Sequence, residues 1–279
     1  MIINNQKHIR IFYAVQTCDI KSYQGRARFC SDNRTEISKK CVTSFLQSVK
    51  YCADHAPNTE HTVLIVDDGS SAELVDYLNR AINKFADQRI KIEFQKLPTE
   101  NSGIEGSIKH CYLWLLGNAK KDSDLVYQVQ DDYMFEPHAV YEMISIWYQM
   151  YQETESHSVV SPYNSAYPWL TNYRNSPTPR AVIVGEWRYW IQMYDCSCSW
   201  LTSKEQFSKN WDLYLDFFAL IAAMEPDALE NKSLNYMFTR RGILGLMPVQ
   251  SLAFHMQSDL EKDPHIDWRP IWDAIDTNF

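Results

Sequence analysis

Residues 62–70, Thr-Val-Leu-Ile-Val-Asp-Asp-Gly-Ser, decide the fold. Their first five residues are apolar or β-branched, which predicts a buried strand. An acidic pair and a glycine turn follow at once, and then a helical pattern that includes Leu74 and Leu78. Ser70 and Glu73 have the spacing of a capping box, which predicts that Ser70 caps this helix. A buried strand that enters an amphipathic helix through a short loop is typical of an α/β protein.

The same alternation of strand and helix extends to both sides of this stretch. Asn33 and Glu36 have capping spacing and predict the start of a long helix. Short loops between alternating strands and helices predict a mostly parallel, Rossmann-like sheet with helices on both faces. The predicted strands are 9–15, 62–66, 90–95, 125–129, 158–161, 181–184, one or two within 187–201, and 243–247, and the later helices are 204–223 and about 227–240.

Composition narrows the class of protein. The 279 residues carry 27 Lys and Arg against 35 Asp and Glu, a net charge of −8, which argues against a nucleic-acid binder that depends on phosphate contacts. Only 8 residues are Gly, and neither a G-x-G-x-x-G nor a P-loop motif occurs, which argues against dinucleotide and P-loop sites. No apolar stretch predicts a membrane span or a signal peptide, and no Cys-x-x-Cys occurs, so we expect a cytoplasmic protein.

Two acidic pairs, Asp67-Asp68 and Asp131-Asp132, each follow a predicted strand. Ligands of parallel α/β sheets bind at the carboxyl ends of the strands. Carboxylates at that edge can accept hydrogen bonds from a nucleoside, or bind Mg²⁺ or Mn²⁺ together with substrate phosphates. Turn formation at Asp67-Asp68 and a helix N-terminus at Asp131-Asp132 are the structural alternatives. The two pairs together favour a ligand site.

The order of these motifs resembles that of family 2 glycosyltransferases with the GT-A fold. Members carry Asp-Asp-Gly-Ser after the second strand and an Asp-x-Asp-type metal motif after a later one. Residues 130–133, Gln-Asp-Asp-Tyr, are similar to the Glu-Asp-Asp-Tyr variant, with an amide in place of the first acid. Residues 101–103, Asn-Ser-Gly, resemble the Asn-x-Gly that precedes the third helix of the family. The resemblance implies that Asp132 contacts the metal directly.

Two further segments near the C-terminus resemble the same family. Residues 230–235, Glu-Asn-Lys-Ser-Leu-Asn, are similar to its Glu-Asp-x-x-Leu-Asn segment, which holds the catalytic base. The resemblance implies Glu230 as the base, with Asp227 and Glu225 open because an amide replaces the second acid. Residues 248–255, Pro-Val-Gln-Ser-Leu-Ala-Phe-His, match a Pro-x-x-x-Leu-x-x-His pattern and imply that His255 completes the metal or diphosphate site.

The resemblance therefore implies a GT-A-type α/β fold in one domain, 1–279, with a nucleotide-sugar half, 1–140, and a mixed acceptor-binding and catalytic half, 141–279. It implies an inverting, metal-dependent transferase that moves a sugar from a nucleotide diphosphate to a hydroxyl of a glycan or glycoconjugate, as in polysaccharide biosynthesis. The implied cofactor is Mn²⁺ or Mg²⁺, held by Asp132 and His255. The candidate nucleotide-sugar-binding residues are Thr17, Asp19, Asp67, Asp68, Asn101, Gln130 and Asp131.

Two other functions stay open at this point. A catalytically degenerate, glycan-binding module would account for Gln130 and Asn231, which are amides where the family has acids. A sugar-phosphate nucleotidyltransferase needs a Gly-rich, Arg-bearing loop after the first strand, and Gly25-Arg26 is present without a glycine cluster. The amphipathic run 266–275 allows peripheral membrane contact, but its acidic neighbours favour packing against the core.

Overall fold

The computed structural model describes residues 3, 8–20, 30–31, 33–98, 103–164, 180–195, 199–223, 232–256, 263 and 265–279. The strands are β1 (Ile9–Thr17), β2 (Thr59–Asp67), β3 (Ile90–Lys96), β4 (Leu125–Gln130), β5 (Tyr133–Phe135), β6 (Val159–Val160), β7 (Val182–Val184), β8 (Tyr189–Met193), β9 (Trp200–Ser203), β10 (Gly245–Pro248) and β11 (Ala253–His255). The helices are α1 (Arg34–His55), α2 (Ala72–Phe85), α3 (Ile104–Asn118), α4 (Ala139–Thr154), α5 (Lys204–Lys209), α6 (Trp211–Ala222), α7 (Tyr236–Thr239) and α8 (Trp268–Ala274).

Nine of these strands form one sheet in the order β3-β2-β1-β4-β9-β6-β10-β8-β7. Only β8 and β9 run against the direction of the others, so the sheet is mixed but mostly parallel. Strands from both predicted halves lie in it, and β5 pairs with β11 in a separate two-stranded sheet. The predicted α/β class, with a Rossmann-like sheet flanked by helices, is confirmed.

Both faces of the sheet are covered by helices. Phe45 of α1, Leu78 of α2 and Ile144 of α4 belong to one buried cluster, and Ile108 of α3 and Phe217 of α6 belong to the cluster on the other face. The strands between these layers are apolar along most of their length because both of their faces are buried. The alternation predicted from the sequence therefore follows from a sheet enclosed between two helical layers.

The strand order of the sheet reverses at β1. The chain adds β2 and β3 on one side of β1 and then returns through α3 to add β4 on the other side. A crevice forms at such a reversal, outside the carboxyl ends of the strands, and it is the usual ligand site of open α/β sheets. Thr17, Asp67 and Gln130 end the three strands that meet here.

The predicted start of α2 is wrong by one residue. The N-cap is Ser71, whose hydroxyl accepts a hydrogen bond from the Leu74 N–H at 3.2 Å. The Ser70 N–H instead donates to Asp67 Oδ1 at 3.0 Å, which closes a turn before the helix begins. An Asx-type turn therefore displaces the capping box that Ser70 and Glu73 suggest.

This correction predicts different costs for two adjacent serines. Ser71→Ala removes the capping hydroxyl, which also donates to Asp19 Oδ2 at 2.5 Å, and is expected to lower the free energy of unfolding by about 1–2 kcal/mol. Ser70→Ala is expected to cost less, because its hydroxyl makes no hydrogen bond within the described residues. Urea unfolding of both variants tests the assignment, and a larger cost at Ser70 would restore the original capping box.

The second half of the chain holds most of the differences from prediction. The helix predicted over 204–223 is divided at Asn210, whose side-chain amide donates to the Gln206 carbonyl at 2.8 Å and competes with the helical backbone. Of the helix predicted over 227–240, the described part begins with turns at 232–235, and only α7 is helical. Residues 224–231 lie outside the described residues.

Three elements near the site, β5, α4 and β11, are absent from the sequence prediction. Eleven of the sixteen residues of α4 are buried, so its apolar residues do not form a single stripe that would mark a surface helix. The strands β5 and β11 have three residues each and depend on pairing with one another, from Ala253 with Phe135 to His255 with Tyr133. Their formation is a tertiary effect, which local sequence patterns do not carry.

Residues 266–275 pack against the protein itself. Trp268 and Trp272 are buried with Ile37 of α1 and Phe254 of β11 in a third apolar cluster. This agrees with the interpretation that the amphipathic run covers its own core. In the part of the chain that the structure describes, no helix has both the length and the apolar character needed to cross a bilayer.

A buried histidine in the sheet gives the fold a predictable pH dependence. His61 lies between the Tyr13 hydroxyl and the Thr59 hydroxyl, at 2.8 Å from each, and burial lowers its pKa to about 3, aided by the charge of Arg89. Because this pKa lies below the unfolded value of about 6.5, unfolded chains bind the proton first as the pH falls. The stabilising contribution of neutral His61 is present above about pH 6.5 and is lost toward pH 3.

We therefore expect wild-type protein to lose about 2–3 kcal/mol more stability than His61→Gln between pH 7 and pH 4.5. Denaturant unfolding of both proteins at the two pH values measures this difference directly. Parallel losses in the two proteins would show that His61 does not titrate in this way.

Candidate active site

The two acidic pairs lie on either side of β1 at the crevice. The Asp68 N–H donates to the Thr17 carbonyl at 3.0 Å, and the Asp131 N–H donates to the Gln16 carbonyl at 3.1 Å. The end of β1 therefore connects the pair after β2 to the pair after β4. The residues joined by these two bonds are 51 and 115 positions apart in the sequence. They meet because the carboxyl ends of parallel strands lie at the same edge of a sheet.

Asp67 and Asp68 are both buried but differ in their hydrogen bonds. Asp67 Oδ1 accepts the Ser70 N–H, and Asp67 Oδ2 is buried with no hydrogen-bond partner among the described residues. Both oxygens of Asp68 accept the Gly103 N–H at 2.9 Å, which fixes the start of α3. Gly69 has a φ of 81°, a backbone conformation that favours glycine and allows the turn from Asp67 to Ser70. A buried carboxylate oxygen without a hydrogen-bond partner is uncommon in folded proteins, and the role of Asp67 toward a nucleotide stays a prediction.

Thr17 and Asp19 form internal contacts at the end of β1. The Thr17 hydroxyl donates to the Val66 carbonyl at 3.2 Å. Asp19 Oδ2 accepts the hydroxyls of Thr35, at 2.6 Å, and Ser71, at 2.5 Å. Burial alone would raise the pKa of Asp19, but the bonds from Ser71 and Thr35 lower it overall. Asp19 thereby holds the first turns of α1 and α2 together, and its role toward a nucleotide stays a prediction.

Asp131 is held on both of its oxygens. Oδ2 accepts the Cys18 N–H at 3.0 Å and the Ser38 hydroxyl at 2.6 Å, and Oδ1 accepts Arg34 Nη2 at 2.7 Å. Burial raises the pKa of Asp131 and the guanidinium of Arg34 opposes that rise. Three donors on two oxygens suit the ionised carboxylate. Asp131 therefore fixes the loop after β1 and the start of α1.

Asp132 meets His255, 123 positions further along the chain. Asp132 Oδ2 lies 3.6 Å from His255 Nε2, and the two side chains are 14% and 15% exposed. The Met256 N–H donates to the Asp132 carbonyl at 2.8 Å, and the His255 ring stacks on Tyr133 with centroids 4.6 Å apart. Pairing of β5 with β11 thus sets the position of the histidine.

These two residues fit a divalent cation that is shared with substrate. A separation of 3.6 Å lets both atoms lie within about 2.0–2.1 Å of one ion, the usual distance for Mg²⁺ or imidazole ligands. In the described part of the chain no group of three or more His, Cys, Asp or Glu side chains converges as a metal site. Mg²⁺ commonly takes one or two carboxylates and completes its shell with substrate phosphates and water. Asp132 and His255 have the donor types for that role.

Arg34, which the sequence analysis did not single out, stands between the two acids of the second pair. Its Nη2 lies 2.7 Å from Asp131 Oδ1, its Nη1 lies 3.4 Å from Asp132 Oδ2, and its Nε donates to the Cys18 carbonyl at 3.2 Å. Burial would lower the pKa of Arg34, but the two carboxylates raise it overall, so the guanidinium stays charged. The Asn33 cap predicts only that Arg34 begins a helix, and its position beside the two acids follows from the fold.

The remaining predicted site residues are either not joined to these contacts or lie outside the described part of the chain. Gln130 is half-buried and pairs in register with Gln16 at the end of β4. Asn101, Glu230, Asp227 and Glu225 lie outside the described residues, so their predicted roles stay predictions.

Aromatic residues of the second half differ in their exposure to solvent. Trp190 and Trp200 are fully buried and belong to the core. Trp187 and Tyr189 are 52% and 59% exposed on the β7–β8 hairpin, where Trp187 lies over His138, the N-cap of α4. Within the described residues, this hairpin therefore offers aromatic rings to solvent.

No family model matches the chain, and no curated protein matches it. Solved structures do match it, at low similarity. UDP-glucose pyrophosphorylase complexed with UDP-glucose is 11% identical, with 90% of this chain and 94% of that chain covered and a TM-score of 0.47. The galactosyltransferase LgtC in complex with donor and acceptor sugar analogs is 13% identical, with 76% and 65% covered and a TM-score of 0.34. The bifunctional glycosyltransferase WbbM is 8% identical, with 77% and 34% covered and a TM-score of 0.35. All three TM-scores are below 0.5, so a functional conclusion has to come from the site itself.

Proposed function

We propose that this chain is a glycosyltransferase that uses a nucleotide-diphosphate sugar and a divalent cation at the crevice between β1 and β4. The observation that carries the proposal is the meeting of Asp132 and His255, 3.6 Å apart, at the carboxyl end of β4. The family resemblance pairs these two residues on motifs alone, and the geometry that brings them together supports it.

The residues of the crevice have complementary tasks in this proposal. Asp67 accepts a hydrogen bond from the nucleoside, because its Oδ2 is buried and otherwise unused among the described residues. Asp132 and His255 hold the cation, which when bound neutralises charge on the departing diphosphate. Arg34 contributes a second positive charge 3.4 Å from Asp132. Asp131 keeps the end of β1 and the start of α1 in register with these groups.

The acceptor side of the reaction is proposed from sequence. A carboxylate takes the proton of the acceptor hydroxyl as that oxygen attacks the anomeric carbon, and the configuration inverts as the diphosphate leaves. Glu230 is the proposed base, and Asp227 and Glu225 are the alternatives. Glu230→Gln is then expected to lower kcat by about 10²-fold or more with little change in donor affinity. An unchanged kcat would transfer the role to Asp227 or Glu225.

Thermal unfolding with UDP, GDP, ADP and CDP and their sugar conjugates, each with and without Mn²⁺, tests the donor site. A ligand at a hundredfold excess over its Kd stabilises the native state by about 2.7 kcal/mol. We expect a shift with one nucleotide family that grows with Mn²⁺ in wild-type protein and not in Asp132→Asn. Stabilisation by glycans alone would favour a binding module. Consumption of a nucleoside triphosphate with a sugar phosphate would favour a nucleotidyltransferase.

A further inference from the structure

Arg34 occupies the place where the charges of a cation and a diphosphate would meet. Its guanidinium shares Asp132 Oδ2 with His255, at 3.4 Å and 3.6 Å respectively. The side chain is only 18% exposed, and it is held by Asp131 as well. A cation about 2.1 Å from Asp132 Oδ2 would lie within about 5.5 Å of the Arg34 Nη1 atom. Two like charges at that distance in a poorly solvated site repel one another strongly.

The formal charges around Asp132 show how this repulsion is relieved. With His255 counted as neutral, as a metal ligand must be, the charges of Arg34, Asp131 and Asp132 sum to −1. A divalent cation alone brings the sum to +1, and the two negative charges of a nucleotide-sugar diphosphate alone bring it to −3. The cation and the diphosphate together leave it at −1. Partly buried sites disfavour uncompensated charge, so each ligand enters more easily when the other is present.

We propose that Arg34 couples cation binding to diphosphate binding: it balances the acidic pair in the free protein, weakens binding of the cation alone, and turns to the diphosphate when both ligands enter. This inference rests on the proposed function and adds a residue and a binding order to it. The guanidinium suits both states because its fork pairs equally well with carboxylate and with phosphate oxygens. Arg34 is thus a ligand-binding residue, and its loss should change the affinity for the cation even when no nucleotide is present.

Mn²⁺ titration followed by electron paramagnetic resonance, which reports free Mn²⁺ directly, tests this coupling in the full chain. Wild-type protein is expected to bind Mn²⁺ alone weakly and to bind it more tightly with the preferred nucleoside diphosphate among UDP, GDP, ADP and CDP, within the 5–150-fold range typical of coupled sites. Arg34→Met removes the charge but keeps an unbranched side chain. It is expected to bind Mn²⁺ alone about tenfold more tightly than wild type. Its nucleotide effect is expected to be about tenfold smaller than that of wild type, because only the direct contacts between cation and diphosphate remain.

Two controls separate this coupling from general damage. Arg34→Lys keeps the charge and is expected to bind Mn²⁺ alone as weakly as wild type. Arg34→Met/Asp132→Asn is expected to lose the tighter binding, which assigns it to the crevice. Mn²⁺ binding by Arg34→Met that equals wild type, is weaker or is absent would overturn the coupling. The nucleotide shifts of wild-type protein test the donor site separately, so that result would leave the proposed function to be judged on its own measurement.

Discussion

Asp132→Asn is expected to lose at least about 10³-fold in nucleoside diphosphate release while keeping its fold. The asparagine preserves shape and one oxygen but removes the negative charge that holds the cation with His255. Preorganised charge at a leaving group is worth several kcal/mol, and about 4 kcal/mol corresponds to this loss. The free energy of unfolding should change by less than about 1 kcal/mol, because the pair with Arg34 is long, at 3.4 Å. Steady-state kinetics and urea unfolding measure both quantities.

Asp131→Asn is the matched control for this variant. Its carboxylate accepts three hydrogen bonds from its own chain, so an amide NH₂ would face either Cys18 and Ser38 or Arg34. The expected cost is about 1–3 kcal/mol of stability, the penalty for an unsatisfied buried group. The neighbouring acids should therefore fail in different ways, one in turnover and one in stability. Turnover by Asp132→Asn within tenfold of wild type would contradict the metal assignment.

Arg188→Met is expected to produce the largest loss of stability, about 3–5 kcal/mol. Arg188 pairs with Glu142 through Nε at 2.5 Å and Nη2 at 3.0 Å, and also with Glu136 at 3.1 Å. The Glu142 side chain is only 3% exposed, so removing the arginine leaves a buried carboxylate without its main partner. His138, whose pKa is raised to about 9 by Glu136 and Glu142, remains as the other cation of the cluster.

The double variant Arg188→Met/Glu142→Leu shows whether the loss of stability comes from the unpaired, buried carboxylate of Glu142. Replacing both partners of a buried pair by apolar groups is often close to neutral, so we expect it to recover more than half of the loss. Chemical denaturation of the two single variants and the double variant gives the coupling energy. A loss below about 1 kcal/mol in Arg188→Met would show that the pair contributes as little as a surface salt bridge.

The first half of the fold was predictable because local pattern and tertiary environment agree there. Strands β1, β2 and β4 are apolar where the sheet is buried on both faces, and the Asn33 cap accepts the Glu36 N–H at 3.2 Å as its spacing predicts. The second half has elements whose stability comes from partners. Helix α4 is buried on most sides, and β5 and β11 exist through one another. Neither arrangement produces the regular spacing of apolar residues from which a helix or a strand is predicted.

The site shows the same division. The family resemblance pointed to Asp132 and His255 as metal ligands, and the fold brings the two side chains to 3.6 Å from one another. It did not point to Arg34, because a single arginine at a helix start is ordinary until the helix is known to begin beside two buried carboxylates. It also did not distinguish Asp131, whose two oxygens accept hydrogen bonds from the chain itself, from Asp67, whose Oδ2 has no hydrogen-bond partner among the described residues. Those differences depend on side-chain geometry.

The most direct measurement is the anomalous scattering of manganese in crystals grown with Mn²⁺ and the nucleoside diphosphate that gives the largest thermal shift. The account predicts one strong peak within coordination distance of both Asp132 Oδ2 and His255 Nε2, beside the diphosphate, with the Arg34 guanidinium turned toward a phosphate oxygen. A nucleotide bound at this crevice with manganese elsewhere, or a peak that avoids Asp132, would contradict it.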